Sequence, residues 1–184
     1  VSIFRGGSFP LSGAPDRVLR ALPFDSRFGR ALAFLPDDDA DGRDELLVGV
    51  PRSSEFATWG GAVRLYRGTV DLDSIPDLTF PGEAAGDEFG ASLSAGPDVD
   101  GDDQDDLVEG APNANPGGIV DAGKAYVFRA GTALDAVADW TLTGSAAEDR
   151  FGFSVASGFD WDGDGELDLA VGATNHDAGG TDAG

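Results

Sequence analysis

Three clusters of carboxylates recur along the chain, and their spacing fits them for chemistry. Asp37, Asp39 and Asp41 stand at alternate positions and are followed by Glu45. Asp98, Asp100 and Asp102 are followed in the same way by Asp106, and Asp160, Asp162 and Asp164 by Asp168. Carboxylates at positions one, three and five of a tight turn point inward together. A fourth, at position nine, closes the cage from the start of the next strand. Oxygen donors in that number suit Ca²⁺, which takes about six to eight oxygens at roughly 2.3–2.6 Å in a forgiving geometry. Without a cation, two carboxylates about 4 Å apart repel by roughly 4 kcal/mol at an effective dielectric near 20. A merely solvated acidic turn would bear that cost three times, so three Ca²⁺ sites are expected.

The copies are unequal. The third carries Gly165 at position six, where a sharp turn favours positive φ, and fits at every position. The first has the longer Glu45 at position nine. The second has Asp103 in place of the glycine, a residue that tolerates left-handed φ at some cost. The third site is therefore expected to bind most tightly and the second to be the most strained. An EF-hand loop begins similarly but needs flanking helices and a Glu at position twelve. That position holds Val48, Glu109 and Val171 here, and the flanks read as strands.

Those flanks repeat too. Each loop begins nine residues after the Phe of a Phe-Gly pair, at Phe28, Phe89 and Phe151, and leads to Gly49-Val50-Pro51, Gly110-Ala111-Pro112 or Gly172-Ala173-Thr174. Behind each pair, small residues alternate with aliphatic ones: Ala31-Leu32-Ala33, Ser92-Leu93-Ser94 and Ser154-Val155-Ala156. Period two marks a strand with two different faces, and a face of Ala and Ser suits a crowded inner position. A second strand is expected at Leu46–Val48, Leu107–Val108 and Leu169–Val171, and a third at Ala62–Tyr66 and Lys124–Phe128. A fourth is expected at Leu78–Phe80 and Trp140–Leu142. Four short strands in a period of about 60 residues is the layout of a propeller blade. Val1-Ser2-Ile3-Phe4-Arg5-Gly6 matches Val63-Arg64-Leu65-Tyr66-Arg67-Gly68, so the chain is read as opening inside a third strand.

These motifs at these spacings resemble the FG-GAP repeats of integrin α-subunit propellers, over nearly the whole chain. The resemblance implies an all-β fold, a β-propeller of blades with four antiparallel strands each. It also implies a calcium-binding loop between the first two strands of each blade. The residue at loop position seven would lend its backbone carbonyl, which adds Arg43, Gln104 and Glu166 to the ligand set. Residues 1–184 are read as part of one propeller domain. Residues 1–27 would end a preceding blade, 28–88 and 89–150 would be full units, and 151–184 an incomplete one. Closed propellers need roughly four to eight blades, so about three repeats imply further blades, from the same chain or another copy. Seven in all is the expectation.

Composition narrows the function classes. The net charge of −22 argues against nucleic acid, which needs a basic face. Dense carboxylate also suits a salty medium. No apolar run approaches the roughly 18 residues of a membrane helix. With no cysteine and one histidine, His176, no nucleophilic triad is apparent, and His176 is read as a solvated loop residue. Aspartates could pair as acid and base in a glycosidase, but calcium accounts for the clustered ones. Trp140 is read as packing between blades, and Glu109 as a poorly buried strand residue or an outer-shell ligand. The loops at 52–60, 113–122 and 175–181 fall opposite the calcium loops and are where ligand recognition is expected.

The resemblance implies a non-catalytic, calcium-stabilised extracellular or cell-surface module for adhesion or protein recognition, with an unidentified protein or glycan ligand. The alternatives are a lectin-like propeller and a propeller that accompanies a secreted enzyme such as a phospholipase.

Overall fold

A computed structural model describes residues 1–4, 6, 13–69, 73–96, 98–130 and 134–176. Arg5 and the end of the chain beyond 176, on which parts of the opening-strand and second-face readings fall, lie outside the described residues. Twelve strands and one short 3₁₀ turn, Pro116–Gly118, make up its regular elements, with no α-helix among the described residues. No helix among them is long and apolar enough to cross a membrane.

Two complete antiparallel meanders dominate. β3 (Leu32–Leu35), β4 (Glu45–Val50), β5 (Ala62–Tyr66) and β6 (Leu78–Pro81) form one sheet in chain order. β7 (Ser92–Ala95), β8 (Leu107–Ala111), β9 (Lys124–Phe128) and β10 (Trp140–Thr143) form the next, with matching register. In front of them β1 (Ser2–Ile3) pairs with β2 (Arg17–Val18), and behind them β11 (Phe151–Phe159) pairs with β12 (Asp168–Ala173). The fold is all-β, and all four strands expected of each full unit are present.

The sheets stack face to face, so their middle strands are buried on both sides. Every residue of β4 is buried, which explains why Leu46-Leu47-Val48 is continuously apolar rather than alternating. Leu47 packs with Leu65, Phe80, Phe89, Leu107, Tyr126 and Phe128. Leu46 and Val48 turn the other way, toward Leu19 and Tyr66. Phe89 sits edge-on to Tyr126, with centroids 5.3 Å apart, and is a core residue, whereas Phe28 is half-buried against the second cluster and Phe151 is half-buried.

The glycines of the repeat meet between successive sheets. A Cβ on Gly49 would stand 2.2 Å from the Gly90 carbonyl oxygen, and one on Gly110 would stand 1.9 Å from that of Gly152. The Gly of each Gly-x-Pro thus packs, backbone to backbone, on the Gly of the next Phe-Gly. Small side chains do the same on the first strands. Ser92 Oγ donates to the Gly152 carbonyl at 2.9 Å, and the Ser94 and Ser157 hydroxyls lie 2.8 Å apart. Crowding of the first strands against one another is the reason their inner face carries only Ala and Ser.

Candidate metal centres

All three aspartate clusters lie in the hairpin loop between the first and second strand of a sheet. Register closes the first hairpin at Leu35–Glu45, the second at Ala95–Leu107 and the third at Phe159–Asp168. Two hydrogen bonds recur in every loop. The position-nine carboxylate accepts the position-two N–H: Glu45 from Asp38 at 2.8 Å, Asp106 from Val99 at 2.9 Å, Asp168 from Trp161 at 2.6 Å. The position-one carboxylate accepts the position-six N–H: Asp37 from Gly42 at 3.0 Å, Asp98 from Asp103 at 2.7 Å, Asp160 from Gly165 at 3.1 Å. These bonds hold the chain ends of each loop and leave other carboxylate oxygens to converge.

Convergence differs among the copies. Ligand atoms of Asp37, Asp39 and Asp41 lie within 4.8 Å of one another, and so do those of Asp98, Asp100 and Asp106 and of Asp160, Asp162 and Asp168. Two oxygens on opposite sides of one Ca²⁺ stand about 4.8 Å apart at the usual bond length, so each trio fits a single hard cation. In the second and third loops the position-five residue is turned aside: Asp102 accepts the Gln104 N–H at 3.0 Å and Asp164 accepts that of Glu166 at 2.9 Å. In the first loop it is Glu45 that stands apart from the trio. Glu45 is fully buried, and its Oε1 has no hydrogen-bond partner among the described residues. Although outside the trio, this orphaned oxygen belongs to a carboxylate that feels the charges of Asp39, Asp38 and Asp37, an arrangement that fits a cation better than an empty turn.

Backbone strain falls on a position the sequence reading passed over. Position four is left-handed as well as position six, with φ of 81° at both Gly101 and Gly163. The first loop places Ala40 there, at φ 59°, and Asp37 also has positive φ. The second loop has one such non-glycine residue, Asp103 at φ 65°, and the third has none. The first loop, rather than the second, is therefore the most strained.

Two arginines lean onto the loops. Arg67, one residue beyond β5, donates to Asp39 at 2.9 Å. Arg129, one residue beyond β9, pairs with Asp100 and stands 3.5 Å from Asp102. Their signal was the repeated aromatic-Arg pair, Tyr66-Arg67 and Phe128-Arg129, legible once the units are aligned. Arg43, expected to lend a carbonyl, turns its side chain onto Asp41 at 2.9 Å.

Electrostatics separates the candidate ligands. Burial pushes the Asp106 carboxyl up to about 6; the Val99 and Ala130 N–H groups pull it down, and neighbouring Asp100 and Asp102 push it further up. Burial also raises Asp98, but N–H groups of four loop residues outweigh that and hold its carboxyl below the ordinary value. Burial is likewise the main cause that raises Glu45.

Residues outside the loops settle differently from expectation. Glu109 is neither poorly buried nor an outer ligand. It is fully buried on β8 and accepts the Gly90 N–H, and burial raises its carboxyl well above the ordinary range. His176 Nδ1 stands 3.0 Å from Asp149, so it is partnered rather than merely solvated. Trp140 remains 45% exposed, with Arg129 over its ring at 5.8 Å. Arg64 was missed altogether. Its guanidinium is buried on β5 with Asp25 at 2.8 Å and Glu55 at 2.6 Å, and no sequence rule flags a lone arginine inside an apolar strand.

Similarity to known proteins agrees with this architecture. Residues 89–128 match the FG-GAP repeat family. The chain is 36% identical over 149 residues to human (Homo sapiens) phosphatidylinositol-glycan-specific phospholipase D, which covers 76% of this chain and 17% of that protein. It is 31% identical over 158 residues to integrin alpha-5 of Xenopus laevis, covering 80% and 15%, and 31% identical over 166 residues to integrin alpha-PS2 of Drosophila melanogaster, covering 82% and 12%. The chain thus spans only 12% to 17% of the length of these relatives. With the motif, the blade-like sheets and these relatives in agreement, the chain is an FG-GAP repeat protein.

Proposed function

We propose that this chain is a non-catalytic, calcium-binding β-propeller module serving extracellular adhesion or protein recognition. One observation carries the reading: three carboxylate trios, each within 4.8 Å, at the same hairpin of successive sheets. Calcium here is structural, binding one ion per loop, three in all, and stiffening the hairpins of units 28–88, 89–150 and 151–184. Binding to the folded state alone adds stability as RT ln(1 + [L]/Kd), about 2.7 kcal/mol per site at a hundredfold excess over Kd. The test is a melt in calcium-free buffer against millimolar Ca²⁺, alongside a binding titration. We expect a large rise in Tm and three bound ions; an unchanged melt overturns the reading.

A second reading is favoured by the 36% identity to a phospholipase D. The same module would then accompany a secreted enzyme. Hydrolase assays on the full-length chain and on this segment separate the readings, since activity in the long form alone supports the second. A lectin-like role stands third, and a glycan array tests it.

A further inference from the structure

At the opposite end of β4 and β8 from the aspartate loops lies a cavity of about 340 Å³, lined by Arg27, Arg30, Arg52, Arg150, Glu88 and Asn113, among others. Four of the chain's twelve basic residues meet there, in a molecule of net charge −22. The repeat itself brings them together. Arg27, Glu88 and Arg150 each directly precede a Phe-Gly pair, and all three are left-handed, at φ 63°, 55° and 56°. Long side chains are kept at a backbone conformation that favours glycine, and they line one cavity from three successive units.

The cavity already shows how it holds a carboxylate. Glu88 accepts from Arg52 Nε at 2.7 Å, and Arg27 stands 3.6 Å from its other oxygen. The Arg52 guanidinium also lies over the Trp59 ring, 5.3 Å from its centroid. Arg150, the counterpart of Arg27, and Arg30 make no side-chain hydrogen bond or ion pair among the described residues. Acidic side chains outnumber basic ones 34 to 12 in this chain, yet the charged lining of this cavity is four arginines and one glutamate, so it is net positive in an acidic molecule. A planar guanidinium presents paired N–H donors matched to a carboxylate.

We propose that this cavity is a binding site for a carboxylate ligand, held by Arg30 and Arg150 with Asn113 beside them, and that its source is an acidic segment of a partner protein. This deepens the recognition reading above and rests on it for the kind of partner, but not on the calcium. A single carboxylate side chain with its flanking peptide fits the volume, and the surrounding acidic surface excludes any acidic segment that does not place its charge in the cavity.

The test is calorimetric titration of the calcium-saturated chain, at fixed ionic strength, with a blocked tetrapeptide Gly-Glu-Glu-Gly, its Gln-Gln counterpart and inorganic sulfate. The Glu peptide should bind about tenfold or more tightly than the Gln peptide, and the double variant Arg30→Gln/Arg150→Gln should lose about tenfold or more. Glu88→Gln, which removes the internal competitor, should tighten binding, and Arg20→Gln, which does not line the cavity, should leave it unchanged. Melts of each variant verify folding. Equal binding of the two peptides, equal loss in Arg20→Gln, or preference for sulfate over the Glu peptide would overturn the proposal. Peptide binding that persists in a chain binding no calcium would leave it standing while the calcium reading fell.

Discussion

The Arg67 guanidinium reaches 2.9 Å to Asp39 across 28 residues of sequence, placing a fixed positive charge beside the carboxylates of the first loop. A divalent cation bound by Asp37, Asp39 and Asp41 competes with that arginine for Asp39. Arg67→Gln should therefore tighten calcium at the first loop by about threefold, the scale of an exposed ion pair. It should also destabilise the calcium-free chain slightly. Titration of the variant against the parent decides the matter, and weaker binding would show that Arg67 positions the ligands rather than competing with the ion.

The calcium-free chain should grow more stable as pH falls from about 6 toward 4. Asp106 keeps its proton to about pH 6 when folded, against an ordinary value of 3.8, so the folded state binds more protons across that window. Glu45, Asp87 and Glu109 are raised as well and act in the same sense. Asp98 is lowered, and its contribution is lost only below 3.8. Calcium affinity at the second loop should fall over the same interval, because the proton on Asp106 must leave. Melts at pH 5 and 7.5 with and without calcium read both effects; a calcium increment that grows on acidification contradicts the assignment.

Arg64→Leu should cost about 3–5 kcal/mol, since it strands the buried Asp25 carboxylate without a partner. Adding Asp25→Asn and Glu55→Gln should recover much of that loss. Denaturant unfolding of the three chains tests the pair, and no recovery would mean that the arginine acts through packing.

Gly110→Ala should destabilise by about 2 kcal/mol or more, because its Cβ would meet the Gly152 carbonyl oxygen at 1.9 Å and the sheets cannot part without opening the core. Ala40→Gly should do the reverse on a smaller scale. It relieves a left-handed alanine worth about 1–2 kcal/mol, less the entropy that glycine loses on folding. Calcium-free melts of both variants check the signs.

By itself the sequence determined the period, the four strands of each full unit and the hairpin that carries the aspartates. It could do so because each of these is local: alternation along a strand, a turn at Gly-Asp and a carboxylate every second residue need only neighbours. The Phe-Gly and Gly-x-Pro spacing also announced a repeat, but its physical reason, Gly49 on Gly90 and Gly110 on Gly152, is a contact between sheets. Only the tertiary structure decided which position-nine residues join their trio, that Ala40 bears strain, and that Arg67 and Arg129 lean over the loops. It alone showed Arg64 closing on Asp25 and placed Arg30 with Arg150 on one cavity. Those pairs are far apart in the chain, and no local pattern encodes which side chains meet when one sheet is laid on the next.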